Sequence, residues 1–380
     1  MKSYLTRAIF DNFSKKVLPN KVLILLGARR VGKTELIKNY LKTVREGSYL
    51  QLNGEDIQDA NLLQERSVAN YKRLLTNIDL LVIDEAQTIP EIGLILKLIV
   101  DSIEGIKIIA TGSSIFDLNN NLGEPLVGRK NTIYLFPLAQ MEFSTQENFK
   151  QTTENLKERL LFGGYPELMQ YQDWEEKKEY LFEIINSYLL KDILAFEGIK
   201  QADKIYNLLR LIAYQVGKEV SLQELGNQLQ ISKNTVANYL DLLSKVFILF
   251  KVEGFSRNLR KEIVKSSRWY FYDNGIRNGI INNFNRLDAR NDVGDLWKNY
   301  LAVERIKKQH YHKITTNNYF WRTYDQQELD WLEERGDMLT GFEFKWNENK
   351  KVKVPTAFAK AYPEARFEVI NKSNYLDFIL

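Results

Sequence analysis

Gly27-Ala28-Arg29-Arg30-Val31-Gly32-Lys33-Thr34 has the spacing G-x-x-x-x-G-K-[ST] and stands between an apolar run and an amphipathic stretch. A turn of this kind between a strand and a helix is built to hold phosphate. Gly27 and Gly32 let the backbone curl so that its N–H groups face an anion, and the helix start adds partial positive charge. Lys33 would reach β- and γ-phosphate oxygens, and the Thr34 hydroxyl would ligate Mg²⁺. A second apolar run, Leu80-Leu81-Val82-Ile83, ends in Asp84 and Glu85. One acid can complete a metal shell and the next can orient and polarise an attacking water. Ser113 and Ser114 follow a third run, Ile109-Ala110-Thr111-Gly112, where a hydroxyl can sense a γ-phosphate or simply cap a helix. Arg129 is either an arginine finger or an ordinary surface arginine. An acid pair beside a phosphate loop points to hydrolysis rather than nucleotide storage.

The elements that must position these residues follow from periodicity. Val22–Leu26, Tyr49–Leu52, Leu80–Ile83, Ile106–Ile109 and Thr132–Leu135 read as short strands. A helix is expected from about Lys33 to Lys42, and Ile92, Ile95, Leu96 and Ile99 have helical spacing. Strands alternating with helices predict a parallel sheet covered on both faces. Residues 146–203 read as mainly helical, broken at Gly163-Gly164-Tyr165-Pro166. Ser221 to Leu243 reads as two short helices about a tight turn, the first opened by a Ser221/Glu224 capping box. Phe247–Asp273 reads as a β-hairpin, and a mixed pattern returns from about Gly294.

Composition removes other chemistries. The 380 residues carry 53 Lys and Arg against 49 Asp and Glu, a net +4, and 44 % are hydrophobic. At about 150 residues per domain, two or three domains are expected. With no cysteine and two histidines, His310 and His312, a disulfide scaffold, a Cys-based zinc or iron–sulfur site, a thiol nucleophile and a multi-His metal site are excluded or disfavoured. No apolar run approaches the roughly 20 residues of a membrane span, and the first residues lack the apolar core of a signal peptide. The expectation is a soluble, cytoplasmic protein.

The order of these motifs, with Gly128-Arg129, Phe136-Pro137-Leu138, Phe162-Gly163-Gly164-Tyr165-Pro166-Glu167 and Tyr270-Phe271-Tyr272-Asp273-Asn274-Gly275-Ile276-Arg277, resembles the AAA-type ATPases of bacteria and archaea that carry a C-terminal domain of unknown function. The resemblance spans nearly the whole chain. It implies ATP and Mg²⁺ as ligands and an α/β P-loop NTPase domain with a parallel sheet of order 5-1-4-3-2. It also implies a helical lid, a winged helix and a C-terminal α/β module of restriction-endonuclease-like fold. The corresponding boundaries are 1–145, 146–203, 204–280 and 281–380.

Two segments extend the reading toward DNA. The second helix after the turn begins Lys233-Asn234-Thr235, polar residues where a recognition helix meets bases, and the hairpin carries Arg257, Arg260, Lys261, Lys265 and Arg268. A winged helix used for packing or subunit contact is the alternative. In the C-terminal module, Asp330 followed by Glu343-Phe344-Lys345 is a nuclease-like pattern, in which Asp330 and Glu343 would bind a divalent metal and Lys345 would position water. The resemblance implies one further acid, on the preceding helix, where Lys298 stands; Glu304 is the candidate substitute. The expected function is Mg²⁺-dependent ATP binding and hydrolysis driving or gating the winged-helix and C-terminal modules on duplex DNA, with a homo-oligomer or a protein client as further partners. An ATP-gated nuclease and an ATP-dependent signalling switch without DNA are the competitors.

Overall fold

The computed structural model describes residues 5–113, 126–189, 202–256 and 267–380. It divides into two compact units, Met1–Phe136 with Lys245–Phe247, and Pro137–Ser244 with Ile248–Leu380.

The first unit is built on five parallel strands: β1 (Lys21–Leu26), β2 (Tyr49–Asn53), β3 (Leu80–Asp84), β4 (Lys107–Gly112) and β5 (Lys130–Tyr134). Their order is β2-β3-β4-β1-β5, the expected 5-1-4-3-2 read from the other edge. Val22 to Leu26 of β1 and Leu80 to Ile83 of β3 are buried throughout. Strands buried on both faces read as unbroken apolar runs, which is why these were visible in the sequence. The Ile92–Ser102 helix turns Ile92, Ile95, Leu96 and Ile99 to the core, each at most 2 % exposed. Burial of a side chain of this size contributes about 1.5–3 kcal/mol.

The second unit opens with helices, among them Phe149–Phe162, Trp174–Glu183 and Ala202–Tyr214. Leu222–Leu229 and Lys233–Lys245 then form the expected helix pair. The turn between them places Gln230 at φ 54, and Ser232 Oγ accepts from Thr235 N–H (3.0 Å) to cap the second helix. A seven-stranded sheet follows: β6 (Glu219–Val220), β7 (Leu249–Gly254), β8 (Ser267–Phe271), β9 (Asn317–Arg322), β10 (Glu328–Arg335), β11 (Met338–Phe344) and β12 (Arg366–Ile370). Its order is β12-β11-β10-β9-β7-β8-β6. β7 and β8 pair antiparallel as the hairpin, and β7 also pairs parallel with β9. The hairpin is therefore hydrogen-bonded into the same sheet as the C-terminal strands.

The Gly163-Gly164 bend and the Asp273-Asn274-Gly275 segment meet in this unit. The Phe149–Phe162 helix ends at Gly163, whose φ is +76. Asp273 lies against that bend: its Oδ2 accepts from Gly164 N–H (2.7 Å) and its Oδ1 from Gly275 and Ile276 N–H (2.8 and 3.1 Å). One carboxylate thus caps the Asn274–Ile280 helix and clips the bend to it. Burial nonetheless pushes the Asp273 carboxyl up to about 6, opposed by those backbone donors and by Lys307. Asn278 Nδ2 donates to Leu160 O (3.1 Å) and Leu161 O (2.8 Å), and Asn274 Nδ2 also donates to Leu160 O (3.3 Å), which satisfies carbonyls of the helix end. The fit leaves no room at Gly275, where a Cβ would lie 2.0 Å from Phe162 O. Gly275→Ala is expected to destabilise the protein by about 2–4 kcal/mol, read as a lowered urea midpoint. An unchanged midpoint would mean that this junction yields freely.

Candidate nucleotide site

All strands of the first sheet run parallel, so their carboxyl ends share one edge, where ligands of such sheets bind. The phosphate loop leaves that end of β1. Its backbone is bent at two points, Arg30 (φ 64) and Gly32 (φ 94). Gly27 is pressed against the backbone that follows β5; a Cβ there would lie 2.2 Å from Leu135 O. Ala28 and Arg29 are half-buried, Arg30 is exposed and Val31 is fully buried, so Val31 fixes the loop to the core. Arg29 lies 3.6 Å from Glu55. Lys33 is buried, and its ammonium donates to Gly27 O (2.8 Å) and Ala28 O (3.1 Å), which holds the cation inside the loop. Arg7, which sequence reading passed over, braces the loop from below by donating to Val31 O (2.7 Å) and Phe136 O (2.6 Å).

Thr34 and Asp84 converge as the motif chemistry requires. Thr34 Oγ1 donates to Asp84 Oδ2 at 2.9 Å. The Thr111 hydroxyl, on β4, bonds the other Asp84 oxygen and accepts from Glu85 N–H at 3.0 Å. A hydroxyl and a carboxylate are hard oxygen donors of the kind Mg²⁺ takes. Glu85 follows in left-handed backbone (φ 49), a rare conformation for a non-glycine residue that clusters at functional sites. Its carboxylate accepts from Gln87 Nε2 at 2.6 Å, and the same nitrogen lies 3.4 Å from Ser113 Oγ. Ser114 lies outside the described residues.

Arg129 is not brought to this edge. It precedes β5, whose first residue pairs with Val22 at the amino end of β1, four residues from Leu26. At 3.3 Å per residue, that is about 13 Å from the phosphate loop. Its guanidinium pairs instead with Asp101 at 2.6 Å. Because β5 runs parallel to β1, the residue that precedes it lies at the amino edge of the sheet, opposite the phosphate loop.

In the second unit, Asp330 is fully buried where β10 is bulged between Leu329 and Leu332. Its Oδ1 pairs with the Lys298 ammonium, and Arg268 of β8 approaches the same oxygen at 3.6 Å. Its Oδ2 accepts from Phe344 N–H at 3.0 Å. Burial opposes the charge on Lys298, but Asp330 outweighs it and holds the ammonium above its ordinary value. Glu343 pairs with Lys345, and burial together with the charge of Asp330 pushes its carboxyl up. Glu304 does not join this cluster. Its Oε2 accepts from Gln140 N–H (2.6 Å) and its Oε1 from Lys307 (2.7 Å), so it serves a separate buried junction. Inward periodicity was right about its burial and silent about its neighbours. Among the described residues, no group of three His, Asp or Glu is arranged to hold a metal ion.

In the segment read as a DNA contact, Ser232, Lys233, Asn234 and Asn238 are exposed. Arg257, Arg260, Lys261 and Lys265 lie outside the described residues. Arg268 is buried and donates to Glu328 at 2.6 Å, so it is unavailable to phosphate. No described helix is long and apolar enough to cross a membrane.

Residues 19–144 match the AAA domain family. This similarity supports an AAA-type P-loop domain over that part of the chain. Residues 153–287 and 293–376 match two domains of unknown function, DUF8612 and DUF4143. An uncharacterized protein of Methanocaldococcus jannaschii is 24 % identical over 376 residues, covering 94 % of this chain and 82 % of that one. An uncharacterized protein of Mycobacterium tuberculosis is 26 % identical over 330 residues, covering 85 % and 70 %. AMPPCP-bound DnaA from Aquifex aeolicus aligns with 62 % of this chain and 84 % of that one at 16 % identity, with a TM-score of 0.29, too loose a superposition to carry a functional reading.

Proposed function

We propose that this ATPase hydrolyses ATP with Mg²⁺ and uses the nucleotide state to drive or gate the second unit on duplex DNA. The observation that carries the hydrolytic part is the convergence of Thr34 on Asp84 at 2.9 Å with Glu85 next in the chain. Lys33 and the loop N–H groups bind the β- and γ-phosphates, and Thr34 and Asp84 would hold the metal. Mg²⁺, when bound, neutralises charge on the transferred phosphoryl group. Glu85 orients the attacking water and takes its proton, and Ser113 faces the γ-phosphate. Arg129, which precedes β5 at the opposite edge of the sheet, would act on the nucleotide of a neighbouring subunit. An Mg²⁺-dependent phosphate-release assay, with and without duplex DNA, tests the proposal; no release in either condition would defeat it.

A winged helix is supported by the succession of the Ala202–Tyr214 helix, β6, two helices about a tight turn, and the β7/β8 hairpin, with β6 pairing antiparallel to β8. In the C-terminal module, a long helix, three antiparallel strands, a helix and a final strand parallel to β11 speak for the nuclease-like architecture. Lys298 on the Asp330 carboxylate speaks against metal-dependent cleavage there. DNA binding is expected to weaken with salt, and Lys233→Ala is expected to reduce the slope of log K against log salt by about one. Absence of salt-dependent retention, measured by fluorescence anisotropy on a labelled duplex, would favour a protein partner instead.

A further inference from the structure

Glu85 is held unevenly. Its N–H donates to Thr111 Oγ1 (3.0 Å), and its carbonyl accepts from Thr88 N–H (3.1 Å) and Thr88 Oγ1 (2.8 Å). The backbone is therefore pinned at both ends. Among the described residues its carboxylate has one hydrogen-bond partner, Gln87 Nε2, at 2.6 Å. That nitrogen also reaches toward Ser113 Oγ at 3.4 Å, while the amide oxygen of Gln87 is buried without a partner. Turning the amide over would set oxygen against carboxylate, so the orientation is dictated by Glu85. A carboxamide kept in this orientation despite an unsatisfied oxygen, which costs about 1–3 kcal/mol, is held by what its nitrogen does.

We propose that Gln87 is a positioning residue that links Ser113 to Glu85, so that a phosphate contact at Ser113 sets the aim of the Glu85 carboxylate. The inference rests on the ATPase reading. Gln87 touches neither the phosphate loop nor Asp84 in the hydrogen bonds described, so its effect belongs to turnover and not to nucleotide binding.

The test uses the full chain and four proteins: wild type, Gln87→Ala, Ser113→Ala and the double variant. Affinity for a fluorescent ATP analogue, measured in EDTA and in Mg²⁺, is expected to stay within about twofold in Gln87→Ala, while kcat falls by roughly tenfold. The double variant is expected to be no slower than the slower single variant, because both substitutions cut one chain of contacts. Gln87→Glu keeps length and volume but replaces the donor with a second carboxylate, and is expected to lose at least as much turnover as Gln87→Ala. Wild-type turnover in either Gln87 variant, or losses that multiply in the double variant, would overturn the linkage while leaving the ATPase reading standing. Absence of turnover in the wild type with analogue still bound would remove the hydrolytic reading itself, and this inference with it.

Discussion

Glu85→Gln is expected to keep ATP bound and to lower turnover by at least about 100-fold, the usual contribution of a positioned general base. Glutamine preserves length and can still hydrogen-bond a water, but it cannot take the proton. The backbone bonds that pin residue 85 involve its N–H and carbonyl, so the substitution leaves them intact. Lys33→Ala is expected to fail one step earlier. It removes a buried cation whose present acceptors, Gly27 O and Ala28 O, are part of the loop itself. Affinity for nucleotide should fall below detection by isothermal calorimetry, and turnover should vanish with it. The two variants separate binding from chemistry: retained affinity with lost turnover marks Glu85, lost affinity marks Lys33. Hydrolysis by Glu85→Gln at the wild-type rate would show that another group activates the water.

The second large effect is expected at Asp330. This carboxylate is fully buried, carries the Lys298 ammonium and faces Arg268 at 3.6 Å. Removing one member of a buried pair leaves the other charge uncompensated, at a cost of about 3–5 kcal/mol. Asp330→Ala would leave the Lys298 ammonium without its carboxylate beside Arg268, which keeps its pair with Glu328, and would leave Phe344 N–H without its acceptor. Its urea midpoint should therefore drop sharply. The combined variant Asp330→Asn with Lys298→Met removes both charges and should recover most of that loss, which a merely steric role for Asp330 does not predict. The same geometry bears on cleavage. An ammonium on the carboxylate competes with a divalent cation for the same oxygen, so no Mg²⁺- or Mn²⁺-dependent cutting of single-stranded, duplex or branched DNA is expected. Cutting by the wild type that disappears in Lys345→Ala, at unchanged ATPase rate, would restore the nuclease reading.

The amino-acid sequence by itself determines whatever depends on neighbours in the chain. The phosphate loop is one turn of backbone, so glycine spacing, Lys33 and Thr34 declare it locally. Buried parallel strands are continuous apolar runs, so β1 and β3 declare themselves as well, and the acids after β3 inherit their place. The sheet order itself came from the family resemblance, and the structure bears it out. Tertiary structure decided everything that rests on register between distant segments. Thr111 meets Asp84 only because β4 lies beside β3, and Arg7 reaches Val31 across 24 residues. In the sequence Gln87 is only the tail of an acidic motif; the ends of β3 and β4 set it between Glu85 and Ser113. Arg129 and Glu304 teach the converse. Residue type and periodicity identified a suitable cation and a buried acid, but strand direction set one at the edge opposite the phosphate loop and helix rotation turned the other toward Gln140 and Lys307. Residue type states what a side chain can do; which groups lie within about 3 Å of it, the reach of a hydrogen bond, is set by packing, which no single stretch of sequence contains.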